Sequence, residues 1–433
     1  MRPRPQQGLQ PFRFNWNTPF ILSSHNSQIF YSGGNYVFRS VHQGDELRVI
    51  SPLIARTGRG TASALAESPR NPEVLYVGTD DGYLWVTRNG GAKWTNVTAN
   101  AAAAIHGKSV SAAAIPWVAT IEPSKHVDGR VYVALDAHRS DDDEPYLLVS
   151  EDYGQTWKSL RGNLPTGSTR VLREDIQKPD VLYCGTEFAV FASIDRGGHW
   201  TKINNNLPTV AVHELAQHPT AGEMVAATHG RSLWVLDVSA LRQITPQTLQ
   251  TGATLFAPQT AVRWRSEPTR GTTYGAGNRN YFGTNPDSGA HVYYALTKKA
   301  SKVTLKVQDY TGRTVAELPA KAEPGLHRIP WDFRGGFGRG RGQGGANPAG
   351  GRGATAAAPQ QPATRQGPAG GQGRGGPGGF TPGPAPGMYR VVLSVDGKDF
   401  TQGLRIEADP VQREAPVIAV PPPRARPRPY DDD

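Results

Sequence analysis

The sequence predicts an all-β chain, a β-propeller followed by a small β-sandwich, and three observations carry that prediction. Residues 87–94, 150–157 and 193–200 are near-copies that share the pattern Ser/Thr-x-Asp/Asn-x-Gly-x-x-Trp. Each follows a strand-like run, such as 74–79 or 181–186. Self-similarity at a period of roughly 40 residues marks a propeller or a solenoid. Composition agrees, since 50 Gly, 36 Pro and 9 Trp against 3 Met and one Cys suit turns and strands better than long helices.

The repeat reads as a hairpin turn. Its Ser or Thr (Thr87, Ser150, Ser193) ends the incoming strand and bonds into the loop. Its short acid or amide (Asn89, Asp152, Asp195) accepts from backbone donors across the turn. The Gly two residues later takes a positive φ without a Cβ penalty. The indole (Trp94, Trp157, Trp200) packs back over the turn and seals the gap to the neighbouring blade. Flanking residues alternate apolar and polar at 83–86 and 146–149, which reads as strand. Two degenerate copies extend the array. Residues 40–47 keep the Ser and Gly but lose the acid and the Trp, and 223–237 keep two middle strands without the turn. Five blades are expected, at about 20–51, 60–98, 117–161, 170–205 and 210–238. The fifth lacks an outer strand. Either residues 12–16 supply it and close a ring, or the array is the C-terminal piece of a longer propeller.

The turn resembles the Asp-box, or BNR repeat, of sialidases, two-propeller xyloglucanases and sortilin-type receptors. Stretches at 14–19, 133–139, 173–175 with 182–188, and 227–234 resemble a large bacterial family described as BNR-repeat glycosyl-hydrolase-like or sortilin/VPS10-like. Residues 331–332 and 386–389 resemble the C-terminal sandwich of those proteins. The resemblance covers nearly the whole chain except one insert, and only the C-terminal portion of the long members. It implies a secreted or periplasmic protein, and it places the repeat turns on the propeller face away from the ligand, in a structural role.

At 433 residues and 37% hydrophobic content, the chain is long enough for two cores. The first domain is expected at 1–245. A β-sandwich of immunoglobulin-like type is expected at 250–410, from alternating runs at 291–296, 302–307 and 389–395 with turns at 309–313 and 396–398. It is interrupted at 335–386 by an insert of Gly, Pro, Ala, Gln and Arg that lacks the apolar surface to order itself, and the tail 411–433 reads as disordered too. The net charge is +10, of which Arg334, Arg339, Arg341, Arg352, Arg365 and Arg374 supply six, so the folded domains are only mildly basic. Residues 334–342 resemble an RGG-type segment, in which Arg contacts phosphates and stacks on bases. Only Phe337 and Phe380 interleave the insert, so a flexible loop expansion is the plainer account. The single Cys184 lies in a strand pattern and reads as a small buried hydrophobe, with no disulfide partner in the chain. The N-terminus shows no signal-peptide core, and no apolar run is long enough to span a membrane.

In a propeller, the loops between second and third strands gather with the blade-to-blade loops around the channel mouth. Here the former hold Asp80 and Asp81, residues 136–144 including Asp136, His138 and Arg139, then Glu187 and Phe188, then His229 and Arg231. The blade-to-blade loops add Arg56, Arg59, His106, Lys108 and Trp117, and innermost strands add Glu67, Glu122, Arg173, Glu174, Asp175, His213 and Glu214. A glycosidase needs two carboxylates, about 5–5.5 Å apart for retention or about 6.5–9.5 Å for inversion. Asp81, Asp136, Glu174, Asp175 and Glu187 are the catalytic candidates, and His138, Arg139, Phe188, His229 and Arg231 the ligand-binding ones. Glu174, Asp175 and Arg173 equally fit salt bridges that tie adjacent blades, and His229 and Arg231 equally fit a loop bonded to backbone carbonyls. Asp141, Asp142 and Asp143 offer oxygen ligands for Ca²⁺ or, equally, a solvated charge run. No Zn site, phosphate-cradling loop, Ser-His-Asp arrangement or sialidase-type arginine layout is visible. The expected function is a platform binding a glycan or an extended peptide without catalysis. A glycoside hydrolase with paired carboxylates is the alternative, and nucleic-acid binding through the insert a second one.

Overall fold

The computed structural model describes residue 3 and residues 7–106, 115–264, 289–333 and 383–410. The insert up to residue 382 and the tail 411–433 lie outside the described residues. The chain forms two compact units, Met1–Thr245 and Pro246–Asp433.

The first unit is a β-propeller array of five antiparallel meanders. Blade 1 holds strands Phe20–Leu22, Phe30–Gly33, Val37–Ser40 and Arg48–Val49, and blade 2 holds Ala62–Glu67, Leu75–Thr79, Leu84–Thr87 and Trp94–Asn96. Blade 3 holds Trp117–Pro123, Val131–Asp136, Tyr146–Ser150 and Lys158–Ser159, and blade 4 holds Thr169–Glu174, Leu182–Thr186, Val190–Ser193 and Thr201–Lys202. Blade 5 has only three strands, Val212–Gln217, Glu223–Thr228 and Leu233–Asp237. Between blades 2 and 3 the Ala-rich run forms a short helix, Thr98–His106, in line with alanine's helix propensity. No described helix is long and apolar enough to cross a membrane.

Because side chains alternate along a strand, each blade sends one set of apolar residues back and the other forward. Leu75 and Val77 pack back with Tyr31 and Val37 of blade 1, whereas Tyr76, Leu84 and Val86 pack forward with Val131, Val133 and Leu135 of blade 3. Leu182 and Cys184 then face blade 3, and Val171, Tyr183, Val190 and Ala192 face blade 5. Cys184 is fully buried, and burial pushes its thiol pKa up, as suits a small apolar side chain.

The repeat turns are superposable in their bonding. Ser193 Oγ donates to Asp195 Oδ1 at 2.7 Å and accepts from Gly197 N at 2.8 Å, while Asp195 Oδ1 accepts from His199 N at 2.8 Å. The same three bonds join Ser150, Asp152, Gly154 and Thr156, and Thr87, Asn89, Gly91 and Lys93. Two successive residues take positive φ in each turn, Arg196 and Gly197 or Tyr153 and Gly154, and the degenerate copy does so at Gln43 and Gly44. Partial burial alone would raise the Asp195 carboxyl, but the bonds from His199 and Ser193 hold it below its usual range.

A second repeat lies at the same end of the array and passed unnoticed in the sequence. Ser23, Ser68, Ser124 and Asp175 begin the loops between first and second strands, and Tyr31, Tyr76, Tyr132 and Tyr183 stand eight residues after each. Glu67 of blade 2 accepts from Ser23 Oγ and Ser24 N of blade 1. Glu174 of blade 4 accepts in the same manner from Ser124 Oγ, Lys125 N and Tyr132 OH of blade 3.

Residues 12–16 do not supply the missing outer strand. Arg13 exchanges bonds with Asn35 of blade 1, and Phe12 and Phe14 pack on Phe38 with ring centroids 4.9 and 5.5 Å apart. Phe12 and Phe14 find their apolar surface on the nearest blade while Trp16 stays exposed, so among the described residues the fifth blade keeps an open edge.

In the second unit, a three-stranded sheet (Ala253–Leu255, Ala290–Leu296, Gly325–Trp331) and a five-stranded one (Ala261–Arg263, Lys398–Ala408, Gly387–Val395, Val303–Gln308, Thr314–Leu318) share one core. Ala261–Arg263 runs parallel to Lys398–Ala408. The hairpin turns fall at Gly312 and at Asp396 with Gly397, all at positive φ.

Candidate functional site

The ends of the meanders decide which residues meet. In each blade the first strand starts, and the second strand ends, at the end of the array opposite the repeat turns. Asp136 closes the second strand of blade 3, Arg170 opens the first strand of blade 4, and Glu187 follows its second strand. His213 and His229 occupy the matching places in blade 5.

Arg170 is the centre of this group. Its guanidinium donates to Asp136 Oδ2 and to Glu187 Oε1, joining blades 3 and 4. His138 Nδ1 lies 2.7 Å from Asp136 Oδ1 and donates to it. Arg170 Nη2 lies 3.0 Å from Nδ1 and 3.3 Å from Nε2 of the same ring, so it rests against the Cε1 edge and not on one lone pair. Asp136 is buried, Arg170 and Glu187 are partly so, and His138 is half open. The His213 and His229 rings pack with centroids 4.9 Å apart. Partial burial, then the charges of Arg170 and His229, lower the His213 pKa, against a smaller opposing pull from Glu187 and Asp136. Arg139 lies over the Trp117 ring, 4.7 Å from its centroid, and Phe188 stands half exposed.

Asp136, His138 and Glu187 form, among the described residues, the one group of three potential metal ligands, with ligand atoms within 4.8 Å of one another. The guanidinium of Arg170 already sits on both carboxylates, so a cation would have to displace it. Asp141, Asp142 and Asp143 are not brought together in such a group, and Asp142 accepts from Glu144 N and Tyr146 OH.

The other sequence candidates separate. Asp81 accepts from Thr57 N, Thr57 Oγ1 and Thr79 Oγ1, which pins the loop from blade 1 to blade 2. Arg231 is exposed, and its carbonyl accepts from Trp234 Nε1. Glu174 and Asp175 do not reach the loop face: four and five residues beyond Arg170 at about 3.3 Å per residue, they lie at the far end of the strand, the end that carries the repeat turns. Both are fully buried. Glu174 is held as described above, and Asp175 accepts from Arg242 Nε at 2.8 Å and from Tyr183 OH. Arg173 joins Glu122 of blade 3 to Glu214 of blade 5. The His106 side chain and Lys108 lie outside the described residues. Arg170 was absent from the sequence candidates. Its signal was its place as the second residue of an inner strand, across from the loop that carries Glu187.

No protein-family model matches the chain, and no curated protein matches it. Among solved structures it is similar to the GH74 xyloglucanase from Xanthomonas campestris, at 18% identity, 50% of this chain, 44% of that chain and a TM-score of 0.32. It is also similar to an ancestral GH74 enzyme, at 15% identity, 72% of this chain, 40% of that chain and a TM-score of 0.42. A third is the GH74 enzyme of Niastella koreensis, at 14% identity, 73% of this chain, 38% of that chain and a TM-score of 0.38. The chain spans less than half the length of each of these three proteins.

Proposed function

We propose that the loop face of blades 3 to 5 binds a glycan and does not hydrolyse it. The observation that carries this reading is that Asp136 and Glu187 share one guanidinium, that of Arg170. A glycosidase keeps one carboxyl protonated to donate to the leaving oxygen. Here both accept from Arg170, and that shared ion pair engages them in tying blade 3 to blade 4. What remains on the face is a binding surface: flat apolar groups at Phe188 and Trp117 beside the hydrogen-bonding edges of His138, His213 and His229. The hydrolase reading has one observation in its favour, the close approach of the Asp136 and Glu187 oxygens, within 4.8 Å.

A glycan array run beside a reducing-sugar assay on plant and bacterial polysaccharides separates the two. Binding without sugar release is expected. His229→Ala and Glu187→Gln should each weaken binding about tenfold, equivalent to about 1.4 kcal/mol, with the folded fraction unchanged. Sugar release that Glu187→Gln abolishes would establish the hydrolase instead. Binding confined to extended peptides would overturn the glycan reading.

A further inference from the structure

Both ends of the blade array present apolar surface that every internal blade buries. In blade 4 the third-strand residues Val190 and Ala192 face the next blade and are 0% and 4% exposed. The strand registers make Leu233 and Val235 their counterparts in blade 5, since Val190 and Ala192 pair with Gly185 and Tyr183, and Leu233 and Val235 with Ala227 and Val225. These two are 67% and 54% exposed. At the other end, Leu172 faces the preceding blade at 0% exposure, and its counterpart in blade 1, Phe20, is 68% exposed, with Leu22 beside it at 62%. The segment carrying Phe12 and Phe14 covers Tyr36 and Phe38 of that face and leaves Phe20 and Leu22 exposed. Terminal units of a repeat array ordinarily turn a polar face to water. This chain places Leu, Val and Phe there.

We infer that blade 5 of one copy docks on blade 1 of a second copy, head to tail. The repeat itself specifies the occupant. At the junction of blades 4 and 5, third-strand residues Val190 and Ala192 meet Val212, Leu215, Met224 and Ala226 from the first and second strands of the next blade. Leu233 and Val235 are the first half of such a junction. Phe20, Leu22 and Phe30, the last stacked on Phe20 at 6.0 Å, are the second half. One chain carries both halves at opposite ends, so a second copy completes each. The contact is heterologous, and it closes into a ring or extends according to the rotation between copies.

The test uses the full chain in sedimentation velocity across the micromolar range. Association that grows with concentration is expected, and it should be lost in Phe20→Asp and in the double variant Leu233→Asp with Val235→Asp. All three of these side-chain changes lie on exposed surface, and circular dichroism verifies that each variant is folded. The two variants mixed should form a one-to-one dimer, because one intact blade-5 face then meets one intact blade-1 face. A parent chain that is monomeric throughout, variants that still associate alone, or a mixture that stays monomeric would each overturn the proposal.

Discussion

Replacing Trp200 by Ala is expected to destabilise the propeller unit by about 3–5 kcal/mol, as for other large buried aromatics. The indole is buried among Leu160, Leu164 and Leu182, and its Nε1 donates to Leu160 O at 2.9 Å, in the segment that leaves blade 3. Its backbone N donates to Asn163 Oδ1 at 2.6 Å. The side chain therefore staples the turn of blade 4 to the preceding blade. Ala would leave a cavity between the two sheets and an orphaned carbonyl at Leu160. Trp94 makes the equivalent bond to Ile50 O at 2.7 Å, so Trp94→Ala should cost a similar amount. Trp157 differs. Its Nε1 donates to Gly154 O within its own turn, and the ring stays partly exposed, so Trp157→Ala should cost clearly less. Denaturant midpoints of the three variants, read against binding, test this ranking. A Trp200→Ala protein that unfolds like its parent but no longer binds would place the ligand face at the repeat turns.

The blades were legible because their signals are local. A turn that needs Ser193, Asp195 and Gly197 within five residues fixes where a third strand ends, and the alternation of Val181 to Cys184 fixes which faces are apolar. The contacts that join blades are not local. Arg170 reaches Asp136 across 34 positions, Ser124 reaches Glu174 across 50, and Arg242 reaches Asp175 across 67. No fixed spacing links the partners of these three pairings, so none can be read off by counting along the chain. Glu174 and Asp175 were misplaced for a geometric reason: an inner strand lines the whole channel wall, and only its first residues reach the loop face. Trp94, Trp157 and Trp200 hold one place in the repeat, yet their Nε1 partners differ. The helix Thr98–His106 joins the core between blades 2 and 3, and Trp157 packs at the margin of that core with its Nε1 bonded within its own turn.

Arg242→Met should be the most damaging substitution outside the blades. Arg242 follows the last strand and is almost wholly buried, with Nε at 3.0 and 2.8 Å from the two oxygens of Asp175, which is fully buried. Removing one partner of such a pair leaves an uncompensated charge and typically costs about 3–5 kcal/mol. The loss here should fall near the lower figure, because Tyr183 OH, Gln177 N and Lys178 N still donate to Asp175. Asp175→Asn alone should be milder, since the amide oxygen retains two backbone donors while Arg242 keeps a bond to Gln217. Combining the two should recover part of the Arg242→Met loss, because Met is then packed against a neutral group and no carboxylate is stranded. Chemical unfolding of the parent, both single variants and the double variant gives the coupling between them. A double variant whose loss equals the sum of the singles would show that Arg242 acts through the packing of its aliphatic stem, with its charge contributing little to holding blade 4 against the end of the array.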